Sequence, residues 1–227
     1  MKYTLFALIL FSVSTTCFAQ HYKYIDSTKV MGPAAYKKKI ADSPDYKLIE
    51  IKKFIPGIVL DIRYATSNNF MHRPMYKQAK AFTRLPVAKA LKAIEADLKK
   101  RGMGLKIYDA YRPYAVTVKF YEMAHDTNFV ADPRKGSRHN RGCAIDLSVI
   151  NLKTGKELDM PTGFDSFSEK AADGYPKLSK TKIANREMLK SVMQAHGFKI
   201  YRTEWWHYDF NGWAGFSLLD VPFEEIK

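Results

Sequence analysis

The chain has 227 residues, 46% hydrophobic and 26% charged, enough apolar material for one domain with a real core, which excludes a disordered or low-complexity polymer. The formal net charge is +14, a balance that often accompanies nucleic acid or an anionic surface. Here the lysines are spread over candidate helix faces instead of massed in one run, so water-facing surfaces account for them; the export signal below excludes a nucleic-acid partner and leaves an anionic cell wall as a neighbour.

Met1–Gln20 reads as a secretory signal. Lys2 gives the positive start, Leu5–Val13 the apolar stretch and Cys17-Phe18-Ala19 a small-x-small ending, the whole too short for a membrane span. Cleavage after Ala19 predicts a periplasmic protein, with 1–19 as signal peptide, 20–48 as a polar, loosely packed arm and 49–227 as the functional domain. A lipid anchor on Cys17 is disfavoured, because Ser14-Thr15-Thr16 puts no apolar residue ahead of it. Only Cys143 then remains, so no intrachain disulfide forms.

Leu48–Lys52 enters the fold, Phe54–Tyr64 alternates unevenly as a strand, and 65–81 is loop. Pro86–Arg101 is the clearest helix: Val87, Leu91, Ile94 and Leu98 recur at helical spacing, Pro86 suits the first turn and Gly102 the C-terminal stop. Leu105–Ala110 reads as a strand ending in Asp109, Tyr114–His125 as a helix, and 128–138 as loop. In 143–150 side chains alternate between two faces. Ala144, Asp146 and Ser148 share one; Cys143, Ile145, Leu147 and Val149 share the other, which reads as core, with Cys143 a buried small hydrophobe. Residues 151–156 form a turn between antiparallel strands, 160–180 a long irregular segment, Ile183–His196 a third helix and Phe198–Phe210 a last strand region. Short strands mixed with three helices predict an α+β fold.

The chemistry concentrates in two stretches. His139 stands in a loop bracketed by Gly136 and Gly142, seven residues before Asp146. About sixty residues on, Glu204-Trp205-Trp206-His207 brings a second polar group set in aromatics. His139, Asp146 and His207 with a spare carboxylate have the composition of a catalytic zinc site, three protein ligands and an open position. Of the six histidines only these two are assigned to chemistry. His196 reads as a helix-end histidine, and His21, His72 and His125 as surface.

Ser137-x-His139-x-x-Gly142-x-Ala144-x-Asp146 followed by Glu204-x-Trp206-His207 resembles the zinc D-alanyl-D-alanine dipeptidases, the VanX-like branch of the D-Ala-D-Ala metallopeptidases. Asp109-Ala-Tyr111-Arg112-Pro113 and Val59-Leu-Asp61-Ile-Arg63-Tyr64-Ala65-Thr66-x-x-Asn69-Phe70 are similar to two further blocks of that family, in the same order. The resemblance implies a single hedgehog-like domain whose antiparallel sheet carries one Zn²⁺ per chain on one face and helices on the other. Its metal ligands would be His139, Asp146 and His207. Glu204 would be the general base, with metal ligation the competing duty, and Arg112 would hold the carbonyl oxygen of the tetrahedral intermediate, supported by Asp109. Asp165 would meet the substrate's free ammonium, and Tyr64 and Ser137 would add substrate contacts; Trp205 and Trp206 would wall the pocket or simply pack. Glu204 and His207 are three positions apart, so a flat strand would point them to opposite faces, and the strand is expected to bulge, twist or end there. The implied activity is hydrolysis of D-Ala-D-Ala. The alternatives are a related zinc D-Ala-D-Ala carboxypeptidase or peptidoglycan endopeptidase, and a non-catalytic wall-binding module. The segment between Arg112 and His139 is shorter than in the vancomycin-resistance members, which implies a more open pocket.

Overall fold

The computed structural model describes residues 22–124 and 130–226. The signal segment, with His21 and His125, lies outside them. In chain order the elements are β1 (Val30–Met31), α1 (Pro33–Asp42), β2 (Leu48–Glu50), α2 (Ile51–Phe54), β3 (Val59–Leu60), β4 (Phe82–Arg84), α3 (Leu85–Lys99), β5 (Met103–Asp109), α4 (Tyr114–Ala124), β6 (Ala144–Asn151), α5 (Lys180–Ala195), β7 (Phe198–Tyr201), β8 (Glu204–Phe210) and β9 (Leu218–Leu219), with short 3-10 turns between them. The α+β expectation holds. A five-stranded sheet in the order β3-β5-β6-β8-β7 forms the centre; its pairings are antiparallel except for β3, which lies parallel to β5.

The amphipathic spacing of α3 explains its placement. Val87, Leu91, Ile94 and Leu98 are all fully buried, each such side chain contributing ~1.5–3 kcal/mol. Buried Glu95 accepts a hydrogen bond from the Leu105 amide at 2.7 Å, pinning α3 to β5. The alternation read for β6 is also present. Cys143, Ile145, Leu147 and Val149 join the hydrophobic core, while Ala144, Asp146 and Ser148 occupy the other face, which is covered too. Helix α5 opens with the Ser179 hydroxyl accepting from the Lys182 amide and packs on β7. Helix α4 instead borders the site through Phe120.

Two expectations need correction. The single strand expected over 54–64 is instead the last residue of α2, a turn, a two-residue strand and the start of a 3-10 segment at Arg63–Ala65; only Val59–Leu60 pairs. Ile51 and Ile58 are fully buried, Ile55 and Ile62 nearly so, so the apolar residues of this segment serve packing rather than a strand's alternation. Residues 22–48, expected as a loose arm, carry two strands and a helix. β1 pairs in parallel with β9, Tyr36 is buried and its hydroxyl accepts from the Leu48 amide at 2.7 Å, and the Tyr22 hydroxyl donates to Asp220 at 2.8 Å. Short pieces with no sustained periodicity concealed this packing. Leu218 of β9 also fills the space over Gly136 (φ +71°), where an added Cβ would fall 2.6 Å from its Cδ2.

Candidate metal centre

The ladder between β6 and β8 places Asp146 directly opposite His207, the cross-strand geometry that brings side chains together on one face. His139 arrives from the preceding loop. There the 3-10 turn His139–Arg141 ends on Gly142 at φ +68°, a left-handed conformation suited to glycine. The Ser137 hydroxyl accepts from the His139 amide at 3.1 Å, and Asn140 Oδ1 accepts from the Ser137 amide at 2.8 Å. Asn140 Nδ2 donates to the Arg112 carbonyl and the Thr117 hydroxyl at 2.9 and 2.8 Å, fastening the loop to the start of α4.

His139 Nε2 lies 3.4 Å from Asp146 Oδ2, and His207 Nδ1 lies 3.0 Å from Asp146 Oδ1. One ligand atom from each of the three residues falls within 4.8 Å of the others, and all three residues are buried. The outer ring nitrogens are held as well. His139 Nδ1 is 2.6 Å from the Ala110 carbonyl, which can only accept, so this nitrogen carries the proton and Nε2 faces inward with its lone pair. His207 Nε2 is held by Asp209 Oδ1 at 3.0 Å, the second partner that metal-binding imidazoles use.

The electrostatics fit a cation. Burial alone raises the Asp146 carboxyl, but the adjoining His139 and His207 imidazoles hold it below the usual carboxylate range. Burial opposes charge on His207, yet Asp146 and Asp209 hold its imidazole well above the ordinary value, so the position between these carboxylates favours positive charge. Asp146 Oδ1 is buried and makes no aligned hydrogen bond. A buried carboxylate between two oriented imidazoles is a donor set suited to zinc.

The expected irregularity lies in the β7–β8 hairpin. Ile200 pairs with Tyr208, but the next residue, Tyr201, pairs with Glu204, so β7 offers no partner to residues 205–207. The distortion brings Glu204 Oε2 to 3.8 Å from His207 Nδ1, the ring nitrogen that faces Asp146. Burial pushes the Glu204 carboxyl up to about 7. The tryptophans separate: Trp206 lines the cavity, whereas Trp205 is fully buried away from it and donates to Thr162 at 3.0 Å.

The cavity over these groups holds about 400 Å³ and is also lined by Tyr64, Arg112, Ser137 and Asp165. A shift in register between Ile107 and Asp109 sets Asp109 opposite Asp146. Asp109 Oδ2 accepts from Arg112 Nε and Nη2 at 3.0 and 2.6 Å, and its Oδ1 accepts from Tyr76 at 2.8 Å. Asp109 and Arg112 thus form an ion pair buried at the cavity wall. Asp165 sits at φ +58°, uncommon for a residue with a side chain. Its Oδ2 accepts from the Tyr64 hydroxyl at 2.8 Å. Burial, reinforced by Asp146 and Glu204, pushes its carboxyl up to about 8. Tyr64 thus donates its hydroxyl proton to Asp165, and both residues line the cavity.

Sequence reasoning missed Asp209, Asn140 and Tyr76, which hold the expected residues in place. It also missed Phe164, stacked on Tyr108 at 4.6 Å beside Asp165, and Trp213 at the mouth. Asp209 was detectable, since two positions after a strand histidine an acid shares its face. The other two histidines among the described residues stay apart from the centre: His72 is exposed, and His196 pairs with Asp97 across to α3 at 2.9 Å.

A family model described as D-Ala-D-Ala dipeptidase matches residues 45–225. The chain is 31% identical over 177 residues to the D-alanyl-D-alanine dipeptidase of Escherichia coli K12, covering 78% of this chain and 91% of that one. It is 28% identical over 195 residues to the enzyme of the same name from Enterococcus faecalis, covering 77% and 93%. With the Enterococcus faecium enzyme it shares 29% over 178 residues, covering 70% and 88%. With its α+β fold and three convergent residues that could hold a metal, the chain is a member of the D-Ala-D-Ala dipeptidase family of metallopeptidases.

Proposed function

We propose that the protein is an exported zinc dipeptidase that hydrolyses D-alanyl-D-alanine. The observation that carries this reading is the grouping of His139, Asp146 and His207 in one buried cluster, with Glu204 3.8 Å from His207 and Asp165 on the same cavity. A zinc ion held by His139 Nε2, Asp146 and His207 Nδ1 would supply Lewis acidity to the scissile carbonyl and lower the pKa of water. Glu204 takes the proton from the attacking water and returns it to the leaving amine; its carboxyl, raised by burial, suits both transfers near neutral pH. Arg112, fixed by Asp109 at the cavity wall, stabilises negative charge on the former carbonyl oxygen. Asp165, steadied by Tyr64, accepts the free ammonium of the substrate, and Ser137 orders the His139 loop within reach of the peptide.

Residues 49–227 form the catalytic domain in this reading, with 22–48 packed onto it. Export rests on Lys2, the apolar run Leu5–Val13 and the small residues ending at Ala19. The test is hydrolysis of D-Ala-D-Ala, N-acetyl-D-Ala-D-Ala and a stem pentapeptide by purified zinc-loaded protein. The reading expects cleavage of the free dipeptide alone; efficient cleavage of the N-acetylated peptide would transfer the protein to the carboxypeptidases.

A further inference from the structure

The cavity has two chemically different walls. Tyr64, Phe70, Phe120 and Asp165 make one; beyond His207 stand Tyr201, Arg138 and Trp213. The Arg138 guanidinium lies 4.8 Å from the Trp213 ring centroid. Its Nε is buried and makes no hydrogen bond among the described residues. Its nearest carboxylate, Asp209 Oδ2 at 3.4 Å, belongs to a residue already engaged with His207 through Oδ1. Neighbouring Arg141 differs, because it stacks on the same indole at 5.4 Å but donates to the Phe216 carbonyl. Arg112 is likewise committed, by Nε and Nη2, to Asp109. Arg138 is thus a cation seated on an aromatic face at the cavity, its Nε ion-paired with Asp209 but not hydrogen-bonded, and a guanidinium presents a planar fork that matches a carboxylate.

We infer that Arg138, seated on Trp213, docks the free carboxylate of the substrate and restricts cleavage to peptides ending one residue beyond the scissile bond. The inference rests on the dipeptidase reading and deepens it. A residue spans ~3.3–3.6 Å. With the scissile carbonyl beside His207 and the ammonium at Asp165, the carboxylate lies beyond the scissile bond, and from His207 the contacts lead to Asp209 and then to Arg138. The aromatic seat fixes the fork before the peptide arrives, and Asp209 balances its charge in the free enzyme. An acid and a base therefore line one cavity, matching the two ends of a zwitterionic dipeptide.

The test compares kcat/KM for D-Ala-D-Ala and its C-terminal amide in wild type, Arg138→Met and Arg138→Lys, each with zinc content measured. Wild type should favour the acid. Arg138→Met should lose about 30-fold or more on the acid, the lower bound for truncating one member of a desolvated charge pair, with the amide changed by less than about threefold. Arg138→Lys should recover part of the loss at unchanged zinc content. A parallel fall on both peptides would overturn the inference and assign Arg138 to holding Asp209 and His207; so would a wild type indifferent to amidation. Hydrolysis of neither peptide by wild type would refute the dipeptidase reading itself. Calorimetric binding of acid and amide to wild type then decides the inference separately, with equal affinity overturning it.

Discussion

Replacing Asp165 by Asn should make the metal-free protein more stable at alkaline pH while damaging catalysis. Asn keeps the shape, accepts from Tyr64 in the same way and tolerates the left-handed backbone, so the substitution removes charge and little else. In the folded protein burial carries this carboxyl from 3.8 to about 8. A raised carboxyl contributes stability fully below its unfolded value, near pH 4, and loses it as pH rises toward 8. At 1.36 kcal/mol per tenfold, the full shift corresponds to ~6 kcal/mol. The side chain is only half-buried, and relaxation and water access reduce this to ~2–4 kcal/mol. Urea unfolding of wild type and Asp165→Asn in chelator should therefore agree near pH 4 and diverge by that amount at pH 8, the variant being the more stable. The same variant should hydrolyse D-Ala-D-Ala poorly, and N-acetylating the substrate should harm wild type about as much, the two changes together being far from additive. A stability difference that stays constant from pH 4 to pH 8 would refute the idea that a strained, desolvated acid waits there for an ammonium.

Alanine at His139, Asp146 or His207 should lower bound zinc together with activity, measured by atomic emission on dialysed protein; full occupancy in all three would remove the metal assignment. Glu204→Ala should keep its zinc and lose at least ~10²–10⁴-fold in kcat, and near-normal turnover would discard it as the base. Asp209→Ala should weaken zinc affinity ~10–100-fold in a competition titration, the usual effect of losing a ligand's outer partner. An unchanged affinity there would mean that His207 needs no such orientation.

What was legible in the sequence follows a physical division. Helix α3 and strand β6 bury one face over many residues, so their periodicity reports their environment directly. The pairing of Asp146 with His207 was accessible only through motif spacing, because no local pattern tells which strands become neighbours. The expected break before His207 was deducible from parity alone: Glu204 and His207 cannot share a face of a flat strand. By contrast, β1, β2 and β3 are two or three residues long, too short for alternation to register, and are held by partners remote in the chain. Tyr76 looked like a loop residue, yet its hydroxyl steadies Asp109. Trp205 and Trp206 were indistinguishable by composition, and their opposite fates follow from the face each occupies.

Gly136 is where the packing of β9 becomes a matter of inheritance as much as of stability. Leu218 occupies the volume that a side chain at 136 would need, while Leu218 itself is aligned with Val30 through the two-strand pairing of β1 and β9. The hairpin of backbone that delivers His139 is therefore clamped from behind by two segments remote from it in sequence. Changes at 30, 136 and 218 have to drift together: a bulkier residue at 136 becomes tolerable only where 218 has shrunk. Tags or fusions that disturb the first of these strands would be felt as altered metal retention at a centre they never touch.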